Sequence, residues 1–188
     1  MDCFAITHPV GKEHRAAGFT LIELLIVVAV IGVVAGIAVP SLMRARMAGN
    51  EASAIGSLRT IVSAEASFAS SCANGFYAMT LNDLALPPGA GSAPFISPDL
   101  SVNGAIKSGY IVTIARSGEP GTHNMAPVAT CNASATTPAS AFFASADPVT
   151  PGGTGRRFFA VDVRGTIVQD TAATIPNPIP AGAAPVQE

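Results

Sequence analysis

Hydrophobic and polar positions follow three regimes along the chain. After a leader of mixed polarity, residues 19–39 form an almost continuous apolar run, FTLIELLIVVAVIGVVAGIAV, interrupted by Glu23 and closed by Pro40. The run contains no Lys, Arg or Asp. As a helix its 21 residues would span about 31 Å, the hydrocarbon thickness of a bilayer. This predicts a transmembrane helix over 19–40. From Ser41 the apolar density falls and a three- and four-residue spacing appears in Ile55, Leu58, Ile61, Val62, Glu65 and Phe68. Arg44, Arg46, Glu51, Arg59 and Glu65 supply polar positions. That pattern predicts an amphipathic half of the same helix over 41–73, with one stripe able to pack on a sheet. Asn74-Gly75 is a helix stop signal.

Beyond Gly75 the pattern becomes short apolar runs separated by turn residues. Pro87-Pro88-Gly89 and the stretch Pro94 to Pro98 mark a long loop. Tyr110 to Ala115 is the clearest strand, rich in β-branched residues; Ala141 to Ala146 is a second. Phe158 to Val163 and Thr166 to Gln169 are a third and fourth, joined across Arg164-Gly165 as a hairpin. The expected fold class is α+β, a long N-terminal helix whose amphipathic half packs on a C-terminal antiparallel sheet of four strands. The β-rich globular part is expected over 74–170. Residues 171–188, with Pro176, Pro178, Pro180 and Pro185, read as a poor core former and an extended or mobile tail.

Composition sharpens the membrane reading and narrows the chemistry. Only 12% of residues are charged and the mean hydropathy is +0.45, high for a soluble protein. The formal net charge is −2 with no basic run, so a nucleic-acid-binding surface is not indicated. Lys12 and Arg15 precede the apolar run, which holds that end in the cytoplasm and puts the rest of the chain outside. Trp is absent, and only Tyr77 and Tyr110 represent Tyr. His123 is the one histidine after Gly18, and no metal spacing, phosphate-cradling glycine loop or nucleophile elbow occurs. Neither an enzyme nor a cofactor is expected. Asp99, Asp147, Asp162 and Asp170 lack the alternating spacing of a calcium loop and read as solvated carboxylates.

Glu23 is the anomaly of the apolar run, because an acid inside a membrane helix marks a functional position by default. Near the cytoplasmic end, a tolerated interfacial carboxylate is the plainer reading. The sequence Gly18-Phe19-Thr20-Leu21-Ile22-Glu23, followed by the apolar stretch and Pro40, resembles the N-terminal signature of type IV pilins and type II secretion pseudopilins. The resemblance implies removal of the leader, residues 1–18, by a prepilin peptidase that cuts between Gly18 and Phe19 and methylates the Phe19 amine. It also implies a pilin fold and assembly through the helix. Glu23 of a neighbour, or of the same chain, would neutralise the Phe19 amine, and between chains the pair would fix axial register, while Pro40 would kink or locally melt the helix. The succession Gly109-Tyr110, Ala146-x-Pro148 and Arg157-x-Phe159-x-x-Asp162-x-x-Gly165-x-Ile167 also resembles the sheet of these proteins, less specifically.

With the leader set aside, Cys3 goes and Cys72 and Cys131 remain. They are either a pair or two unpaired buried thiols; a bridge would close a loop of roughly 60 residues, worth on the order of 4 kcal/mol, in a domain folding outside the cytoplasm. An unbroken helix from Phe19 to about Cys72 would be some 80 Å long, which suits a filament subunit better than one small domain. Implied partners are the prepilin peptidase, other copies of the chain, minor pilins or pseudopilins, an inner-membrane assembly platform and membrane lipid. The expected location is the inner membrane, single-pass with a cytoplasmic N-terminus, and then a periplasmic or cell-surface filament. Three functions stay open: a pilus subunit, a pseudopilin of a type II secretion system, and a monomeric membrane-anchored binding domain.

Overall fold

The computed structural model describes residues 18–125 and 130–187. The leader up to residue 17, with Cys3, Lys12 and Arg15, lies outside the described residues. The chain divides into two compact units between Ser41 and Leu42. Helix α1, Leu21–Ser71, contributes to both.

In the first unit, residues 18–41 are exposed throughout. This part of α1 is long and apolar enough to cross a membrane, by length and composition. Pro40 lies inside the helix. Helical backbone continues through it, so of the kink or local melting expected there melting is not seen, although a proline costs the helix one donor.

In the second unit the remainder of α1 buries one face. Glu51, Ala54, Ser57, Leu58, Ile61, Ala64, Glu65, Phe68 and Ala69 are its buried residues, recurring at the spacing that brings side chains to one side of a helix. Small Ala54, Ser57, Ala64 and Ala69 are buried on the same face as the larger Leu58, Ile61 and Phe68. The helix ends as Asn74-Gly75 predicts. Asn74 and Gly75 adopt φ of 49° and 90°, the left-handed conformation that glycine takes without penalty, and the Gly75 amide donates to the Ala69 carbonyl.

The sheet has six strands, not four: β1 Ala105–Lys107, β2 Tyr110–Arg116, β3 Phe142–Pro148, β4 Phe158–Asp162, β5 Val168–Asp170 and β6 Ala184–Pro185. They pair antiparallel in chain order. Tyr110, Val112 and Ile114 of β2, Phe142, Ala144 and Ala146 of β3, and Phe159 and Val161 of β4 share the core with α1. Register explains the selection: Val112 faces Ala146 and Ala146 faces Phe159, so one row of each strand points at the helix. A short helix α2, Leu81–Ala85, adds Leu81 and Leu84 to this core. Thr80 caps it by accepting from the Asp83 amide.

The opposite face of the sheet is covered as well. Phe143, Ala160 and Val168 form a second apolar cluster with Ile175 and Ile179. The C-terminal segment therefore folds onto the sheet instead of trailing as a loose tail. The amide of Asn177 clamps it, accepting from Gly118 N at 2.7 Å and donating to the Arg116 carbonyl at 2.8 Å. Beyond this clamp β6 returns to pair with β5. Both sheet edges are short, one carrying Lys107 and the other Pro185, so neither offers a long ladder to a neighbouring chain.

The second, weaker motif set has a physical basis. Arg157 pairs with Glu51 of α1, Phe159 is core, and Asp162 accepts from Arg164 within the β4–β5 turn. Gly165 takes φ of 73° there, as a tight turn requires. Gly155 has a stricter role: a Cβ would stand 1.9 Å from the Tyr110 hydroxyl, which donates to the Arg157 carbonyl.

Candidate functional site

Of the residues singled out for processing and assembly, Gly18, Phe19 and Glu23 lie together at the head of α1, and Pro40 lies apart from them. Gly18 and Phe19 are exposed and precede the helix. Thr20 and Glu23 form a reciprocal cap on α1. The Glu23 amide donates to Thr20 Oγ1 at 3.2 Å, and Glu23 Oε2 accepts from Thr20 N at 3.1 Å and Thr20 Oγ1 at 2.8 Å. This is the Thr-x-x-Glu capping box, which satisfies donors that would otherwise be orphaned at a helix start. Sequence reasoning assigned Glu23 to contacts between subunits and missed this local partner, although the spacing from Thr20 signals it. Satisfied donors matter most where the surroundings are apolar, since an unpaired N–H in lipid is costly. Pro40 closes the unit, one residue before its boundary.

Within the second unit, Cys72 and Cys131 are joined by a disulfide with Cα atoms 4.7 Å apart. The bridge ties the end of α1 to the loop that follows residue 130, and the Cys131 amide donates to the Cys72 carbonyl. Asp83 fastens the same loop to α2: Oδ1 accepts from the Ala135 and Thr136 amides, and Oδ2 from the Thr80 and Thr136 hydroxyls. Asn132 donates its amide to the carbonyls of Asp83 and Leu86. The sequon Asn132-Ala133-Ser134 therefore has its acceptor nitrogen committed to buried contacts.

Two carboxylates on α1, read from sequence as ordinary polar positions, are buried. Glu51 Oε1 accepts from the amides of Arg156 and Arg157, and Oε2 accepts from Arg157 Nε at 2.8 Å. Arg157 also donates to Gln169 and lies 5.2 Å over the Phe159 ring. Glu65 has no exposed surface. Its Oε2 accepts from the Ala78 amide at 2.8 Å, while Oε1 has no partner. Burial pushes its pKa up to about 8, the Ala78 bond opposing and the charge of Asp83 adding to the rise. Glu65 thus holds a proton at neutral pH and joins the end of α1 to the chain just before α2.

The four aspartates considered for calcium do not converge. Asp99 pairs with Lys107, Asp162 is buried against Arg164, and Asp170 accepts from the Ala172 amide. Asp147 accepts from Ser145 and is raised in pKa by burial, opposed by hydrogen bonds from Ser145 and Thr174. Asp162 and Asp147 are thus built into the packing, not solvated as the sequence suggested. Among the described residues no group of three His, Cys, Asp or Glu side chains gathers as a metal site. His123 stands in a loop against the edge of Phe76.

Comparison with known proteins bears on the N-terminal segment. The family model described as the prokaryotic N-terminal methylation motif matches residues 14–39. The type IV major pilin protein PilA of Myxococcus xanthus is 43% identical over 54 residues, which cover 29% of this chain and 24% of that protein. No solved structure gives a significant match to the chain. The long helix on an antiparallel sheet is a pilin-like arrangement. By its N-terminal segment the chain carries the prokaryotic N-terminal methylation motif and is similar to a type IV major pilin.

Proposed function

We propose that the chain is a structural subunit of a type IV pilus-like filament. A prepilin peptidase cuts between Gly18 and Phe19 and methylates the new amine, and the mature chain waits in the inner membrane with its N-terminus cytoplasmic. An assembly platform then extracts it, and the apolar half of α1 becomes the filament core with Glu23 facing a neighbour's Phe19 amine. The observation that carries this reading is the Gly18 to Glu23 motif at the head of an apolar helix that its own unit leaves exposed. Apolar side chains such as Ile22, Leu24 and Ile31 need another surface, and lipid before assembly and sister helices after it both provide one. Companion minor pilins complete the set of partners.

The test is Glu23→Ala in cells expressing the full chain. The expected result is a chain that is cleaved, methylated and membrane-inserted but absent from filaments. Filaments at wild-type abundance would overturn the assembly role and leave a membrane-anchored domain. Loss of exoprotein secretion on deletion of the gene, with surface filaments retained, would move the chain to the pseudopilins.

A further inference from the structure

We propose that the N-terminal end of the second unit is a docking surface for the anionic headgroups of the leaflet in which α1 is anchored. The proposal rests on the membrane-spanning reading of residues 19–40. Its basis is a set of three arginines. Arg44 and Arg46 follow Pro40 by four and six residues and are both exposed. Arg156 is exposed on the β3–β4 connection, and its backbone amide donates to Glu51 Oε1 at 2.8 Å. Arg44 precedes Glu51 by seven residues, about two turns or some 10 Å along the same stripe of the helix. Arg156 therefore belongs to the same end of the unit as Arg44.

Two acidic groups there are already engaged. Glu51 is taken by Arg157, and Asp99 by Lys107 of β1. None of Arg44, Arg46 and Arg156 is ion-paired among the described residues. The end of the unit thus presents three arginines outside any ion pair in a chain of net charge −2.

Their placement favours a leaflet over a protein face. Two positions apart on a helix, Arg44 and Arg46 lie roughly 200° from each other around the axis. A partner protein touching one side of the stem meets one of them. Headgroups surround an emerging helix on every side and meet both, while Arg156 brings the β3–β4 connection toward the same plane. Such docking holds the second unit against the membrane before extraction and weakens as salt screens it.

The experiment uses the full chain in nanodiscs of phosphatidylcholine, alone or mixed with phosphatidylglycerol, with hydrogen exchange read over residues 44–47 and 150–157. At low salt the anionic discs are expected to slow exchange there by at least about fivefold, the scale of one arginine at a charged surface. High salt and the R44Q/R46Q/R156Q variant should remove the difference, and R44K/R46K/R156K should keep it. Equal exchange in both discs, with the chain inserted, would overturn the docking surface and leave the spanning helix standing. A chain that enters neither disc would overturn the spanning reading and the docking surface with it. Unchanged exchange at β2 and β3 in the glutamine variant checks that the unit is still folded.

Discussion

The two parts of α1 belong to one helix yet solve opposite problems. The part before Ser41 is the more apolar, and all of it is exposed. The part after it is more polar, and it buries two carboxylates along with Leu58, Ile61 and Phe68. Apolar density therefore does not report burial within a subunit; it reports the solvent that the helix must match. The first part is apolar on all sides, as lipid or sister helices around it would require. The second is apolar on one stripe because its partner is a sheet. The glutamates follow the same division: Glu23 is spent on a cap at the helix start, and Glu51 and Glu65 fasten the helix to other segments of its own unit.

The largest test of this division is pH. Glu65 ionises near 4.5 when unfolded and near 8 when folded, so between these values unfolding releases a proton. Its favourable contribution is complete below pH 4.5 and is lost as pH rises through 8. The free energy of unfolding of the second unit should fall across that window by up to about 5 kcal/mol. Glu65→Gln keeps an acceptor for the Ala78 amide and should flatten the profile. Denaturant unfolding of the full chain in detergent, repeated across pH, measures both. An undiminished slope in Glu65→Gln would remove Glu65 as its source.

Next in size is truncation of the buried stripe. Phe68 is fully buried and meets the Phe95 ring edge-on at 5.5 Å. Phe68→Ala should cost about 3 to 5 kcal/mol in the same unfolding measurement. Ile31→Ala, in the exposed part, should leave it within about 0.5 kcal/mol. Comparable losses from the two would break the comparison.

Glu51→Ala comes third. It strands Arg157 and two backbone amides, but the arginine side chain is 33% exposed, so water relieves part of the loss. About 2 to 3 kcal/mol is expected. A double-mutant cycle with Arg157→Ala should show coupling, since the pair shares its hydrogen bonds. Additive losses would mean that Glu51 acts through the amides alone.

Much of this fold was legible because its large elements obey simple periodicities. The stripe through Leu58, Ile61 and Phe68 and the alternation through Tyr110, Val112 and Ile114 both reached the core. The β4–β5 turn fell where Arg164-Gly165 placed it. What stayed hidden was short or depended on contacts distant in sequence. β1 and β6 have three and two residues, too few for a period to show. Ile175 and Ile179 are isolated among prolines, and only the second face of the sheet, with Phe143, Ala160 and Val168, gives them somewhere to go. Glu65 falls on the apolar stripe, but nothing local says that a carboxyl will stay there protonated. At the candidate site, the motif from Gly18 to Glu23 was plain and its capping geometry was overlooked.

The smallest effect belongs to that cap. Thr20 Oγ1 accepts from the Glu23 amide, and Glu23 Oε2 takes back both Thr20 donors, so the box concerns only the first turn of α1. Thr20→Ala removes the hydroxyl and should loosen that turn by about 1 kcal/mol, read as faster amide exchange at residues 21–24 in detergent. Unfolding of the second unit should not change, because none of its residues takes part in these bonds. If exchange at the first turn is unaltered, the reciprocal bonds do not hold it, and Glu23 has no local partner to give up when a neighbouring Phe19 amine arrives. If exchange quickens while filament assembly persists, the cap organises the helix start in the stored subunit and is dispensable once sister helices surround it.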